Sequence, residues 1–199
     1  KAAEQFAKDI NAADAKGKCF GARLENEEEA TRLVTEVIDW AGRLDVLINN
    51  AGVYTTATLE EISADEWFSG FNSTASASFF TTRASLPWLR KSPCGRIVNI
   101  GDSSCDRPTA RDMGIGYHIG KTGVLILTRS FAQAEASNGV TCNMVSPGYL
   151  ENSVDLETAE EVPAGRYGHF DDIWEAVSFF LTEKSGYISG SNLDVSGGW

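Results

Sequence analysis

The sequence predicts one α/β domain with a doubly wound, mostly parallel sheet and helices on both faces, a three-layer α/β/α arrangement. The apolar segments LDVLI, GRIVNI and VTCNMV are continuous rather than alternating, which is typical of strands buried on both faces. Helical segments separate them, as parallel strands require. A chain of 199 residues fits a single domain of this class, so we assign residues 1–199 to one unit.

The remaining elements follow in chain order. The opening segment, 1–17, has helical spacing and ends in Lys-Gly, KCFGARL is a short strand candidate, and NEEEATRLVTEVIDWAG reads as a helix with acids in its first turn. Ser63 and Glu66 match a capping box that begins a long helix through WFSGFNSTASASFFTTRASLPWL. A helix from Tyr117 through VLILTRSFAQAEA, an acidic loop, the helix DDIWEAVSFFL and the strand NLDVSGG complete the chain.

Charge and cysteine usage limit the partners. With 28 acidic and 17 basic side chains the net charge is −11, which repels phosphate backbones and anionic lipid heads. We therefore expect neither a nucleic-acid nor a membrane partner. The four cysteines lack CxxC spacing, which argues against a zinc site and a disulfide framework, and no apolar run reaches membrane-spanning length. We expect a cytoplasmic protein.

Polar and small residues follow three of the predicted strands. In open parallel sheets ligands bind beyond the carboxyl ends of the strands, so these loops should line one site. The residues concerned are Asn49, Asn50, Gly52, Asp102, Ser104, Pro147 and Gly148.

Tyr117 and Lys121 lie four positions apart at the start of a predicted helix, so both side chains can reach one small volume. A free tyrosine ionises near pH 10, and a nearby ammonium lowers that pKa and makes the phenol useful for acid/base work. The structural alternative is a phenol that caps the loop and a solvated lysine. By itself, this spacing of a tyrosine and a lysine is weak evidence for a catalytic pair.

The surrounding motifs strengthen this interpretation. With NNAG at 49–52, Asn72 in a helix, a Ser/Asp loop before Tyr117 and SPG at 146–148, the whole chain resembles the short-chain dehydrogenase/reductase family, classical type. The C-terminal course PAGRYGHFDDIWEAVSFFL is similar too. The resemblance implies a Rossmann-like fold and an enzyme that transfers hydride between NADP or NAD and a small-molecule carbonyl or alcohol.

The resemblance also implies roles for individual residues. Tyr117 would exchange the proton at the substrate oxygen, Lys121 would lower the pKa of Tyr117 and hold the ribose hydroxyls, and the carbonyl of Asn72 would support a proton-relaying water. Cofactor contacts are implied for Asn49, Ala51, Gly52, Tyr117, Lys121, Pro147, Gly148 and Leu150. Structural alternatives stay open: Asn72 as a buried-backbone partner, and NNAG as a strand-terminating turn.

Two departures from the family pattern stand out. The glycine-rich turn that holds the pyrophosphate is absent, and the chain begins where the family's third unit is expected, so roughly the first βαβ portion is missing. Arg23 also stands where the family often has an acid near the adenine. The missing turn and Arg23 motivate a non-enzymatic alternative, in which the protein is a non-catalytic binding or structural protein with this fold.

The departures above concern cofactor binding; the other departure concerns the substrate-orienting position before Tyr117. Counting thirteen residues back reaches Ser104, whereas counting forward from the strand GRIVNI reaches Asp102. Because loops tolerate insertions better than strand ends do, we favour Asp102 and keep Ser104 as a close second. Both residues could instead form turns through side-chain hydrogen bonds. An aspartate here, followed by DRP at 106–108, is similar to the pteridine reductase branch of the family.

The resemblance implies two enzymatic functions. The first is reduction of a small carbonyl compound, with a 3-oxoacyl thioester as one form, and the alternative is pteridine reduction by Asp102 and Tyr117. Arg107 and Arg111 could meet an anionic substrate or be solvated, and His118 and His169 lack metal-ligand spacing. Small and aliphatic helix faces in ASASFFTT and GVLILT, together with the resemblance, imply a homodimer or homotetramer.

Overall fold

In the part of the chain that the structure describes, the sheet has four strands, and every pair of neighbours is parallel. A computed structural model of the protein describes residues 5, 8–10, 15–103, 105–107, 109–153 and 158–199. The strands lie in the order β1-β2-β3-β4 and comprise Val46–Asn49, Arg96–Ile100, Thr141–Pro147 and Asn192–Val195. All four therefore end at the same edge, and the predicted parallel α/β architecture is confirmed.

Among the residues described, five α-helices with defined bounds connect or cover the strands. They are α1 (Glu27–Ala41), α2 (Ala64–Phe71), α3 (Ala77–Leu89), α4 (Ile115–Glu135) and α5 (Phe170–Leu181), with 3₁₀ turns at Ala136–Asn138, Ala159–Glu161 and Glu183–Ser185. The side chain of Asn26 caps α1 by accepting the N–H of Glu29 at 3.0 Å. At α2 the predicted capping box is confirmed, because Ser63 and Glu66 each accept the other's backbone N–H.

The two faces of the sheet bury different helices. On β2, Ile97 packs with residues of α3 and α4, whereas the next residue, Val98, packs with Val177 and Phe180 of α5. Since successive side chains of a strand point to opposite faces, α3 and α4 cover one face and α5 covers the other. This is the predicted three-layer arrangement, and it explains why the strands read as continuous apolar runs.

The predicted strand KCFGARL is wrong. Residues 18–24 are irregular or turn, and within the described residues no strand lies beside them to pair with. The carbonyl of Gly21 instead accepts a hydrogen bond from the guanidinium of Arg32 at 2.9 Å. Apolar residues favour a strand only when a neighbour supplies the ladder. Most of the helix predicted over 1–17 lies outside the described residues.

The long helix predicted after Ser63 is confirmed, but it is not uniform. A π-helical turn at Asn72–Ser76 separates α2 from α3. Before the turn α2 packs on α4, and after it α3 packs on α1 and β1. The hydroxyl of Thr74 donates to the carbonyls of Gly70 at 2.8 Å and Phe71 at 3.0 Å, so a side chain stabilises the altered backbone pattern. Such turns are frequent at functional sites.

Candidate active site

A cleft of about 780 Å³ opens at the edge where the strands end. It lies where ligands bind in open parallel sheets. It joins the loops after β1, β2 and β3 to the first turns of α4. Its lining includes Asn50, Gly52, Tyr54, Ile100, Gly101, Asp102, Ser103, Arg111, Met113, Tyr117, His118, Lys121, Pro147, Gly148, Tyr149, Leu150, Asn152, Ser153 and Trp199.

Close packing of α2 against α4 sets the position of Tyr117. A Cβ on Gly70 would lie 2.7 Å from the backbone nitrogen of Tyr117, and one on Gly116 would lie 2.6 Å from the carbonyl oxygen of Trp67. A Cβ on Gly120 would lie 1.9 Å from Oγ1 of Thr74. The two helices can therefore approach this closely only because all three positions are glycine. We did not predict these residues, although Gly116 and Gly120 lie four apart on one helix face.

Tyr117 is partly buried among other rings. Its ring centroid lies 5.3 Å from that of Tyr54, at 89°, and 5.5 Å from that of His118. Burial, and then the negative charge of Asp102, raise the pKa of Tyr117 above its usual range. The phenol therefore keeps its proton at neutral pH. The expectation that Lys121 lowers the pKa of Tyr117 is wrong for this arrangement, because burial dominates.

Lys121 lies at the bottom of the cleft with 3% of its surface exposed. Its Nζ lies 5.3 Å from the ring centroid of Tyr117 and donates to the carbonyl oxygen of Ile100 at 2.6 Å. Within the described residues it forms no ion pair, so burial lowers its pKa to about 8. An ammonium has three donors, and this carbonyl accepts one, which leaves donors for a ligand in the cleft.

Asp102 and His118 form a pair in the same cleft. Nδ1 of His118 lies 2.8 Å from Oδ2 of Asp102. The side chain of His118 is 18% exposed and that of Asp102 is 20% exposed. Burial by itself would raise the pKa of Asp102, but the hydrogen bond to His118 and the charges of His118, Arg111 and Lys121 outweigh it and the pKa is lowered. The carboxylate is therefore ionised. This pairing was missed, since i to i+16 contacts across a loop have no sequence signature.

Several predicted site residues reach the cleft and others do not. Gly52, Pro147, Gly148 and Leu150 line it together with Tyr117, Lys121 and Asp102. Ala51 is exposed but is not among the lining residues, and Asn50 beside it is. Ser104 lies outside the described residues, so the choice of Asp102 over Ser104 remains a prediction.

The side chain of Asn49 faces the protein interior rather than the cleft, and its expected cofactor contact remains a prediction. Its amide nitrogen donates to Asn99 Oδ1 at 2.8 Å and to Thr82 Oγ1 at 3.0 Å, and its oxygen accepts from Thr81 at 2.7 Å. These bonds fasten the end of β1 to β2 and α3. The strand-terminating interpretation of this motif describes Asn49 better.

Asn72 begins the π-helical turn, and it is not among the residues that line the cleft. Its side-chain oxygen accepts from Ser76 at 3.0 Å, and its carbonyl accepts the N–H of Ala77. The neighbouring Ser73 donates to Gly70 and accepts the N–H of Val53, which ties this turn to the loop after β1. The role of Asn72 in proton relay remains a prediction.

The two arginines of the loop before α4 differ. Arg107 donates to the carbonyl of Ser103 at 3.0 Å, to Asp194 at 3.2 Å and to the carbonyl of Trp199 at 3.3 Å, so it joins the loop to the last strand. Arg111 lines the cleft and adds positive charge beside Asp102. Of the two, only Arg111 is placed to meet a substrate.

The residues present fit the nicotinamide end of a dinucleotide. A Cβ on Gly52 would press on Thr74 at 3.1 Å and on Tyr117 at 3.3 Å, and one on Gly148 would lie 2.8 Å from Ser196, so both loops need glycine. Asn50 lies in the same lining and Lys121 offers buried donors for hydroxyl groups. Within the described residues, no group of three or more His, Cys, Asp or Glu side chains could hold a metal ion, and no helix is long and apolar enough to span a membrane.

Comparisons with known proteins agree with this geometry. A family model described as enoyl-(acyl carrier protein) reductase matches residues 1–199. The 3-oxoacyl-[acyl-carrier-protein] reductase FabG of Haemophilus influenzae is 31% identical over 191 residues, which cover 92% of this chain and 78% of that protein. The acetoacetyl-CoA reductase of Allochromatium vinosum is 31% identical over 187 residues, 90% of this chain and 75% of the relative.

Solved structures share the fold. A mutant short-chain dehydrogenase/reductase of Serratia marcescens superposes with a TM-score of 0.88 at 26% identity, over 98% of this chain and 82% of that one. A candidate short-chain alcohol dehydrogenase of Sinorhizobium meliloti gives a TM-score of 0.90 at 20% identity, over 98% and 81%. The second likeness supports the fold alone.

Proposed function

Because this chain belongs to the short-chain dehydrogenase/reductase family and is an NAD(P)-dependent oxidoreductase, we propose that it reduces the ketone of a 3-oxoacyl thioester to an alcohol. The observation that carries this proposal is the presence of the Tyr117 phenol and the Lys121 ammonium in one cleft, with Nζ of Lys121 5.3 Å from the ring centroid of Tyr117. A proton donor of this kind suits reduction, in which the substrate oxygen must gain a proton.

The substrate class is supported by the relatives. Two of them are named as reductases of 3-oxoacyl or acetoacetyl thioesters, at 31% identity over most of the chain. The cleft has a volume of about 780 Å³, and its apolar part includes Met113, Leu150 and Trp199. The non-catalytic reading is set aside, because the chain belongs to an enzyme family and places both Tyr117 and Lys121 in one cleft.

The reaction follows from the chain's own groups. A reduced nicotinamide, when bound, supplies the hydride. Tyr117 gives its phenolic proton to the substrate oxygen as the ketone becomes an alcohol. Lys121 holds ligand hydroxyl groups with the donors that Ile100 does not use. Asp102 keeps a negative charge near Tyr117 and so favours the protonated phenol between turnovers.

The direct test is turnover of acetoacetyl-CoA with NADPH and with NADH, followed by loss of nicotinamide absorbance. Tyr117→Phe should lower kcat by about 10²- to 10⁴-fold while the cofactor still binds, because only the proton donor is lost. Lys121→Ala should weaken cofactor binding in calorimetry. Equal turnover by the parent protein and Tyr117→Phe would remove the proposed role of Tyr117.

Pteridine reduction remains a second candidate, supported by the place of Asp102 in the cleft with Tyr117. The ionised state of Asp102 weighs against direct proton donation from its carboxyl group. The same assay with dihydrobiopterin separates the two functions. Faster turnover of dihydrobiopterin than of acetoacetyl-CoA would favour this candidate.

A homodimer or homotetramer is proposed from the exposed apolar side chains. Phe68 of α2 and Ile119 and Ile126 of α4 are 57%, 42% and 61% exposed, and they lie on helices that pack together. Burying such a face between copies removes apolar surface from water. Ile126→Glu should therefore yield smaller particles in light scattering. The same change at exposed Leu59, outside the helices, is the control and should leave the assembly unchanged.

A cytoplasmic location is also proposed. Cys94, Cys105 and Cys142 form no disulfide within the described part of the chain. Unpaired thiols are typical of a reducing compartment. Fractionation of the cells that produce the protein, with thiol labelling before lysis, tests this.

A further inference from the structure

The charge of the cleft differs in sign from that of the whole protein. Among the described residues, its lining includes two cations, Arg111 and Lys121, and one carboxylate, that of Asp102. The chain itself carries a net charge of −11. A cleft that presents mainly one sign of charge concentrates ligands of the opposite sign. This cleft therefore favours an anionic ligand, although the protein as a whole repels one.

Arg111 is the cation of the cleft that has no partner. Within the described residues its side chain donates no hydrogen bond and lies in no ion pair, because the carboxylate of Asp102 is bonded to His118 instead. The charge of Arg111 still lowers the pKa of Asp102, so the guanidinium lies within electrostatic reach of the reacting groups. The other described arginines bond carboxylates or carbonyls, except Arg129, which is exposed on α4.

The backbone beside Arg111 is held in place. Met113 forms an isolated antiparallel bridge with Thr58, and the N–H of Gly114 donates to the carbonyl of Ala57 at 3.4 Å. Both contacts tie the loop before α4 to the segment that follows β1. The side chain of Arg111 is half-buried, so part of the entropy cost of ordering it is met before a ligand arrives.

We propose that Arg111 binds an anionic oxygen group, a phosphate or a carboxylate, that the substrate carries away from its ketone. This inference rests on the proposed ketone reduction, in which Tyr117 and Lys121 occupy the reacting end of the cleft. A planar guanidinium offers paired donors that match two oxygens of either group, and its charge does not depend on pH in the physiological range. In a 3-oxoacyl thioester the phosphate would belong to the thiol carrier, and the carboxylate to the far end of the acyl chain.

The test compares kcat/KM for three thioesters of 3-oxo acids. Acetoacetyl-CoA carries phosphates, 3-oxoadipyl-N-acetylcysteamine carries only a carboxylate, and acetoacetyl-N-acetylcysteamine carries no charge. Arg111→Gln should lower kcat/KM by roughly 10- to 100-fold, mostly through KM, for the substrate whose anion it binds, and should leave the uncharged thioester unaffected. Arg111→Lys should recover part of the loss, because the charge returns without the paired donors. The two charged thioesters separate a phosphate from a carboxylate as the bound group.

Arg129→Gln is the matched control. It removes the same charge from the other arginine without a partner among the described residues, which lies about 12 Å along α4 from Lys121. This variant should keep the parent's kcat/KM for all three thioesters. Added salt should reduce the parent's preference for the charged thioester, since it screens a partly exposed ion pair, and should have little effect on the preference of Arg111→Gln.

Calorimetry tests the anion site without turnover. The probes are glutarate, which carries carboxylates, and 4′-phosphopantetheine, with uncharged pantetheine for comparison. At least one of the two anions should bind Arg111→Gln roughly 10-fold more weakly than it binds the parent or Arg129→Gln, while pantetheine shows no difference.

The outcomes separate the two proposals. A parent protein that reduces no thioester but loses anion binding in Arg111→Gln overturns the proposed function and supports the anion site. A parent that reduces the thioesters, with Arg111→Gln matching Arg129→Gln on all three, overturns the anion site alone. An equal loss on all three thioesters also overturns it, because a structural defect does not distinguish charged from uncharged substrates.

Discussion

Replacing Gly120 by alanine should push α4 away from the π-helical turn and destabilise the protein. The added Cβ would lie 1.9 Å from Oγ1 of Thr74, 3.1 Å from its Cβ and 3.3 Å from the carbonyl oxygen of Gly70. Thr74 cannot simply rotate, because its hydroxyl bonds two carbonyls of α2. Overpacking of this kind costs about 1–3 kcal/mol, from which the helix preference for alanine over glycine recovers about 1 kcal/mol.

The very close approach to Thr74 favours the upper end of that range, so a net loss of about 2 kcal/mol should appear in chemical denaturation and lower Tm by about 4–8 °C for a chain of this size. Gly120 lies between Tyr117 and Lys121 in sequence, so kcat should fall as well. Gly21→Ala is the control, since a Cβ there meets nothing within 4 Å.

A double-mutant cycle tests the cause. Thr74→Ala removes the clashing hydroxyl, so Gly120→Ala should cost less in that background than in the parent. The expected coupling is about 0.5–3 kcal/mol. If the two changes are additive, or if Gly120→Ala is as stable as the parent, the contact does not limit the approach of the helices and the account of Tyr117's position fails.

Three further predictions concern stability, measured by chemical denaturation. Burial lowers the pKa of Lys121 to about 8 from 10.5, so the unfolded chain binds this proton more tightly than the folded chain does. The free energy of unfolding of the parent, relative to that of Lys121→Met, should therefore rise between about pH 8 and 10.5. A difference that does not change with pH would contradict this prediction. Arg90→Met should cost about 1–3 kcal/mol, because the nearly buried Glu135 loses two hydrogen bonds; since Arg90 lowers the pKa of Glu135, this cost should shrink in acid. Asn49→Ala should also cost about 1–3 kcal/mol, because the hydrogen bonds to Asn99, Thr82 and Thr81 are lost. The KM for cofactor should change little, and a large rise in that KM would instead support a contact between the Asn49 side chain and the cofactor.

Much of the fold could be predicted because its signals are local. The apolar runs of β2 and β3 are buried on both faces, and the capping box at Ser63 depends only on neighbouring residues. The failure at KCFGARL has the opposite cause. A strand exists only beside another strand, and residues 18–24 have none among the described residues. Nothing within that segment could reveal the missing neighbour.

The site residues show the same difference between local signals and contacts that depend on the tertiary fold. Tyr117 and Lys121 could be placed together because a helix fixes positions four apart. The hydrogen bond between Asp102 and His118 and the internal network of Asn49 depend on how loops and strands meet in space. The pKa of Tyr117 was predicted with the wrong sign, since the spacing of a lysine says nothing about how much solvent the phenol loses.

The π-helical turn at Asn72–Ser76 makes one continuous helix serve two unrelated partners. Each residue of an α-helix advances by about 100° around the axis, so the wider turn shifts the angular phase of everything that follows. The face that contacts α4 before the turn is therefore out of phase with the face that contacts α1 and β1 after it. Deleting a single residue within 72–76 would remove this shift of about 100°, and the helix could then keep its contacts with α4 or with α1 and β1, but not both.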